Sequence, residues 1–143
     1  MDIILALSIT LAFELGITTI FFFKDMRVLV ALSIANIVLN VTMNLLIQLL
    51  PNALGYYLFL GFYELFTTVI EAIILIFICK KPVRKSILTS VCANVTSLGV
   101  GIIINQCNPD EKTKMILTLI FAFIYSVIVA INLSFYLLDK TKN

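Results

Sequence analysis

Five long apolar runs, each separated from the next by a short polar or turn-forming stretch, set the plan of this chain. Each run is long enough to cross about 30 Å of hydrocarbon, which takes about 20 helical residues. The runs lie near 3–23, 28–50, 57–79, 86–106 and 115–138. They are continuous rather than alternating, and lipid offers no partner for open backbone groups, so helices are expected and not strands. The expected architecture is all-α: a polytopic membrane bundle of five transmembrane helices forming a single domain over 1–143.

The connections are short. Lys24 to Arg27 reads as a tight polar turn, and Pro51-Asn52-Ala53-Leu54-Gly55 carries breakers without charge. Lys80-Lys81-Pro82-Val83-Arg84-Lys85 is strongly basic. Asn108-Pro109-Asp110 is a turn signal in which Asp110 suits a helix N-cap. Basic residues favour the cytoplasmic side of a membrane. In a five-helix weave Lys24, Arg27, Lys80, Lys81, Arg84, Lys85, Lys140 and Lys142 all fall at one end, and only Lys112 and Lys114 at the other. The expected topology in the cell membrane is N-terminus outside and C-terminus cytoplasmic. Met1-Asp2 runs directly into apolar sequence without a basic leader, so the first helix is expected to be retained.

Composition narrows the class further. The chain is 62% apolar and 13% charged, with a mean hydropathy of +1.13, against about 45–50% and about 25% in soluble domains. A soluble chain of 143 residues lacks the volume to hide so much apolar surface. The net charge of +2 gives no reason to expect a nucleic-acid partner. There is no His, which removes the commonest metal ligand and general base, so no zinc is expected. Cys79, Cys92 and Cys107 form no C-x-x-C pair and sit at different depths, which predicts free thiols.

The polar residues inside the apolar runs carry the chemistry. Glu14 precedes Lys24 by ten residues and Glu71 precedes Lys81 by the same interval. Both therefore lie about 15 Å from the basic end. Asn36 and Asn94 fall at a similar depth from the other side of each basic turn. Glu64 lies two helical turns from Glu71 on nearly the same face, with Thr67 and Thr68 between them. Asn36, Asn40, Asn44 and Gln48 recur every four residues as an amide ladder. Ser86, Ser90, Asn94, Ser97 and Gly101 form a small polar stripe that permits close helix approach. A shift of 57 residues aligns Glu14 with Glu71, Lys24 with Lys81, Arg27 with Arg84 and Ser33 with Ser90, so the first two hairpins read as a parallel repeat.

A charged group at bilayer depth costs roughly 3 kcal/mol or more unless it is paired or wet, which makes Glu14, Asn36, Asn40, Glu64, Glu71 and Asn94 the site candidates. Carboxylates and amide oxygens suit a hard cation such as Na⁺, Mg²⁺ or Ca²⁺; if dry, the glutamates would be protonated. The expected function is a small transporter or channel-like protein holding a cation, proton or polar solute. Two hairpins and one helix enclose little volume, which favours a homodimer. Two other readings stay open. One is a non-catalytic membrane subunit whose polar faces tie helices together. The other is an intramembrane enzyme acting on lipid, although no catalytic pair, P-loop or dinucleotide fingerprint is present.

Overall fold

The computed structural model describes residues 3–22, 25–47, 49 and 53–141. Five α-helices account for nearly all of them: α1 Ile3–Phe21, α2 Met26–Ile47, α3 Ala53–Ile73, α4 Val83–Gln106 and α5 Glu111–Lys140. A π-helical turn, Ile74–Ile78, continues α3. No strand occurs among the described residues. All five helices, α3 together with its π turn, are long and apolar enough to cross a membrane.

The helices overrun the apolar stretches at several ends. α4 starts at Val83 rather than 86, and α5 runs from Glu111 to Lys140 rather than from 115 to 138. Charged residues mark where lipid ends, but the backbone can keep its hydrogen bonds beyond that point. Termination follows local geometry instead. Asn108, with φ 43°, takes the left-handed conformation that ends α4, and Asp110 Oδ1 accepts from Thr113 N at 3.1 Å to cap α5. Of the expected turns, Lys24 and residues 51 and 52 lie outside the described residues, as do Gln48 of the ladder and Lys142.

α1 to α4 form a ring in which each helix packs on its chain neighbours and α4 closes back onto α1. α1 and α3 face each other across the diagonal, as do α2 and α4. α5 lies outside the ring, chiefly against α1. This makes α1 the central helix, and Leu5, Ile9 and Leu15 on it are buried on more than one side. Asn132 of α5 is fully buried against α1, its amide 3.3 Å from Thr19 Oγ1. The outward faces are largely apolar, with Ile20, Phe62, Phe77 and Phe123 at least 70% exposed, and their exposed hydroxyls, Thr42, Ser126 and Ser134, bond back to their own helices.

Two apolar layers lie either side of the polar centre. Toward the basic end Leu11, Leu15, Leu29, Leu32, Leu75 and Cys79 pack into one cluster with Phe22 and Val28. Toward the opposite end Leu5, Ile9, Ala12 and Phe121 form a second cluster between α1 and α5. At the basic end itself Lys81 is ion-paired and hydrogen-bonded to Asp25, and both Lys81 and Lys85 sit over the Phe22 ring, 5.4 and 4.9 Å from its centroid.

Candidate functional site

Rotation of the four ring helices turns their polar stripes inward at one level. Glu14 is 4% exposed, Glu71 1%, Asn36 3% and Asn94 4%. The helices that carry the two glutamates do not touch through their backbones, yet α4 gathers both carboxyls to one place, Glu71 on Asn94 and Glu14 on Ser97 three residues further on. The four midplane groups expected from spacing are thus together in the core.

α4 supplies most of the donors. Asn94 Nδ2 donates to Glu71 Oε2 at 2.5 Å and to its own helix at Ser90 O at 3.0 Å. Ser90 Oγ lies 3.0 Å from the same carboxyl oxygen and 2.7 Å from Thr68 O, so its one proton serves either. Ser97 Oγ reaches Glu14 Oε1 at 2.7 Å. Thr67 Oγ1 donates to Asn94 Oδ1 at 3.0 Å, which fixes the amide so that its nitrogen points at Glu71. The small stripe of α4 therefore holds both carboxyls. Spacing marked Ser90 and Ser97 as packing positions; that they are serines rather than alanines was the signal of a second role.

Satisfaction is incomplete. Glu14 Oε2, Glu71 Oε1, Asn36 Nδ2 and Thr18 Oγ1 are buried and have no hydrogen-bond partner of ordinary geometry. Asn36 faces Glu71 without forming a good hydrogen bond to it. Buried polar atoms are nearly always paired, so this concentration at one level marks the centre of the bundle as a site.

Above the carboxyls, away from the basic end, a chamber of about 20 Å³ touches Glu14, Asn36, Asn40, Glu64, Thr67 and Asn94. That volume holds about one water. It leads to a wider vestibule of about 180 Å³ walled by all four ring helices, with Thr10, Asn40, Asn44, Glu64, Asn105 and Gln106 as its main polar groups. Asn40 Nδ2 is tied to Thr10 Oγ1 at 2.9 Å, and Asn44 Nδ2 to Asn40 Oδ1 at 2.9 Å, so the described part of the amide ladder lines the vestibule wall. Glu64 stands where chamber and vestibule meet. Among the described residues no side chain donates to its carboxyl group. Tyr63, which sequence reasoning passed over, closes the chamber beside it and donates to Leu39 O at 2.8 Å.

No set of three or more acidic, Cys or His side chains among the described residues is arranged to hold a metal ion. Fold and site together define an all-helical bundle of five helices, each long and apolar enough to cross a membrane, with two carboxyls buried at its centre. Comparison with protein families, curated proteins and solved structures finds no match for this chain.

Proposed function

We propose that the protein is a small membrane transporter-like bundle whose Glu14–Glu71 pair holds an exchangeable proton. The observation that carries this reading is the burial of the two carboxyls on neighbouring turns of α4, each with one oxygen lacking a donor, beneath a water-sized chamber. Two carboxylates buried together without a counter-cation cannot both stay charged, and one shared proton satisfies both unpaired oxygens. A hydrated metal ion fits this centre less well, because the chamber is water-sized and a hard cation needs six or so oxygens. The vestibule provides a route for protons from one end. The buried Leu15–Leu75 layer closes the other, separating the glutamates from an open groove of about 930 Å³ at the basic end that Asp25 and Lys81 line.

Positive charge at the basic end supports placing that end in the cytoplasm, with the leucine layer forming the inner gate. The diagonal placement of α1 and α3, each bringing one glutamate to the centre, supports the two-hairpin repeat. The pairing itself is uneven, since Glu71 bonds Asn94 of its own hairpin whereas Glu14 bonds Ser97 and not Asn36. The alternative reading, polar faces that tie separate subunits, draws less support because those faces pair within this chain. A homodimer belongs to the same proposal and is read from the mass of the purified protein in detergent.

The test is proton flux in proteoliposomes containing a pH-sensitive dye, together with thermal melts over pH and over Na⁺, K⁺, Mg²⁺ and Ca²⁺. Glu14→Gln and Glu71→Gln retain shape and most hydrogen bonds; both are expected to fold and to abolish flux. Flux and melts equal to wild type in both variants would leave only a packing role for the pair.

A further inference from the structure

The vestibule is larger than proton access requires. A file of single waters would serve a proton, whereas about 180 Å³ is some nine times the chamber that holds one water. It is also smaller than the roughly 300 Å³ at which drug-sized pockets begin. Its occupant is therefore a molecule of a few non-hydrogen atoms.

The wall has two characters. Ile9, Met43, Leu60, Leu98 and Ile102 present an apolar surface, and the amides with Glu64 present acceptors. No Lys or Arg among the described residues lines it; Lys112 and Lys114 belong to α5, which packs outside the ring, and Lys114 pairs with Glu111. The charges facing this space are the Glu64 carboxyl at its floor and the Glu14–Glu71 pair below. An anion would meet no positive charge here, only neutral amides, hydroxyls and the carboxyls. No aromatic ring lines the vestibule among the described residues, so a quaternary ammonium would lack the cage that usually holds it. A primary ammonium fits each feature. Its N–H groups meet the Glu64 carboxylate, to which no described side chain donates. Its short alkyl chain lies on the leucine and isoleucine side.

We propose that the vestibule is a binding site for a small primary alkylammonium ion, with Glu64 as its counter-charge and the amides of Asn40 and Asn44 as further acceptors. The proposal deepens the transporter reading by naming the solute class and rests on it only for coupling to the proton. Glu64 divides the roles: it holds the solute, while Glu14 and Glu71 hold the proton.

The experiment is a thermal-shift and calorimetric titration of the purified protein with n-propylammonium and n-butylammonium, against 1-butanol, butyrate, tetramethylammonium and Na⁺. A ligand that binds only the folded state raises Tm with concentration. The expected result is a rise with the two primary ammonium ions alone, reduced at least tenfold in apparent affinity by Glu64→Gln and preserved in Ser134→Ala, an exposed position of α5 outside the ring. Stabilisation by butanol or butyrate equal to that by butylammonium overturns the proposal, as does an ammonium effect that survives Glu64→Gln. So does the absence of any ammonium effect. Should Glu64→Gln fail to fold, Leu60→Phe serves instead: Leu60 is half-buried and lines the vestibule from α3, so the larger ring narrows it and is expected to weaken the ammonium effect while leaving the carboxyl pair in place. Proton flux through wild-type protein without amine is scored separately. Flux without ammonium binding sinks the solute assignment alone, and absence of flux sinks the proton reading whatever the titration shows.

Discussion

Asn94 is the residue on which the geometry of the centre turns. It donates to Glu71, accepts from Thr67 and is itself buried, so it links α3 to α4 through both ends of one amide. Asn94→Leu keeps the volume but leaves a carboxyl oxygen and a hydroxyl without their amide. The expected loss is about 1–3 kcal/mol, read by denaturant or SDS unfolding in detergent. Equal stability would mean the amide contributes nothing net. Asp25 is a second informative residue, because it lies outside the spans. Partial burial opposes its charge, but the hydrogen bond and ion pair with Lys81, helped by Arg27, outweigh this and hold the carboxyl below its usual range. A carboxyl with a depressed folded-state pKa adds stability above its unfolded pKa, about 3.9, and loses it as pH falls through the folded value. Asp25→Asn should thus cost about 1 kcal/mol at pH 7, and the gap to wild type should close below about pH 4. A gap that persists at low pH would show that the ion pair is not its source.

At the scale of the elements, the helix ends are set by single residues. Asn108 ends α4 at a positive φ that asparagine tolerates, whereas Lys80 takes φ 55° directly after the π turn. The left-handed region costs a side chain with a Cβ roughly 1–2 kcal/mol. Lys80→Gly is therefore expected to raise stability by about 1 kcal/mol, a rise of Tm in a thermal melt, although it removes one positive charge. A fall instead would show that the lysine side chain holds more than the backbone loses. The π turn itself carries Leu75 into the apolar layer and ends at Cys79, so it sets how α3 meets the basic end.

For the whole molecule the open question is direction. The vestibule and the basic end lie on opposite sides of the midplane glutamates, so orientation decides which compartment the site faces. Cysteine placed at Val83, which is 54% exposed at the start of α4, reports this in a background from which Cys79, Cys92 and Cys107 have been removed. The charge distribution predicts resistance to a membrane-impermeant thiol reagent in intact cells and labelling after lysis. Ready labelling in intact cells would reverse the topology and make the vestibule face the cytoplasm.

The sequence by itself determined the five long apolar helices and the level along them that Glu14, Asn36, Glu71 and Asn94 share. Apolar run length measures the bilayer, and a fixed rise of about 1.5 Å per residue converts the ten-residue spacing from Glu14 to Lys24 and from Glu71 to Lys81 into a shared level. Those are one-dimensional quantities, carried by each helix alone. Helix ends were less legible, since polarity reports where lipid stops and not where backbone hydrogen bonding stops. Only the tertiary structure decided which helices adjoin and how each is rotated. The gathering of Glu14 and Glu71 onto α4, the assignment of Ser97 rather than Asn36 to Glu14, and the vestibule all depend on rotations about helix axes. Those rotations come from side-chain packing between helices far apart in sequence, such as Asn132 of α5 against Thr19 of α1, and no spacing along one helix encodes them.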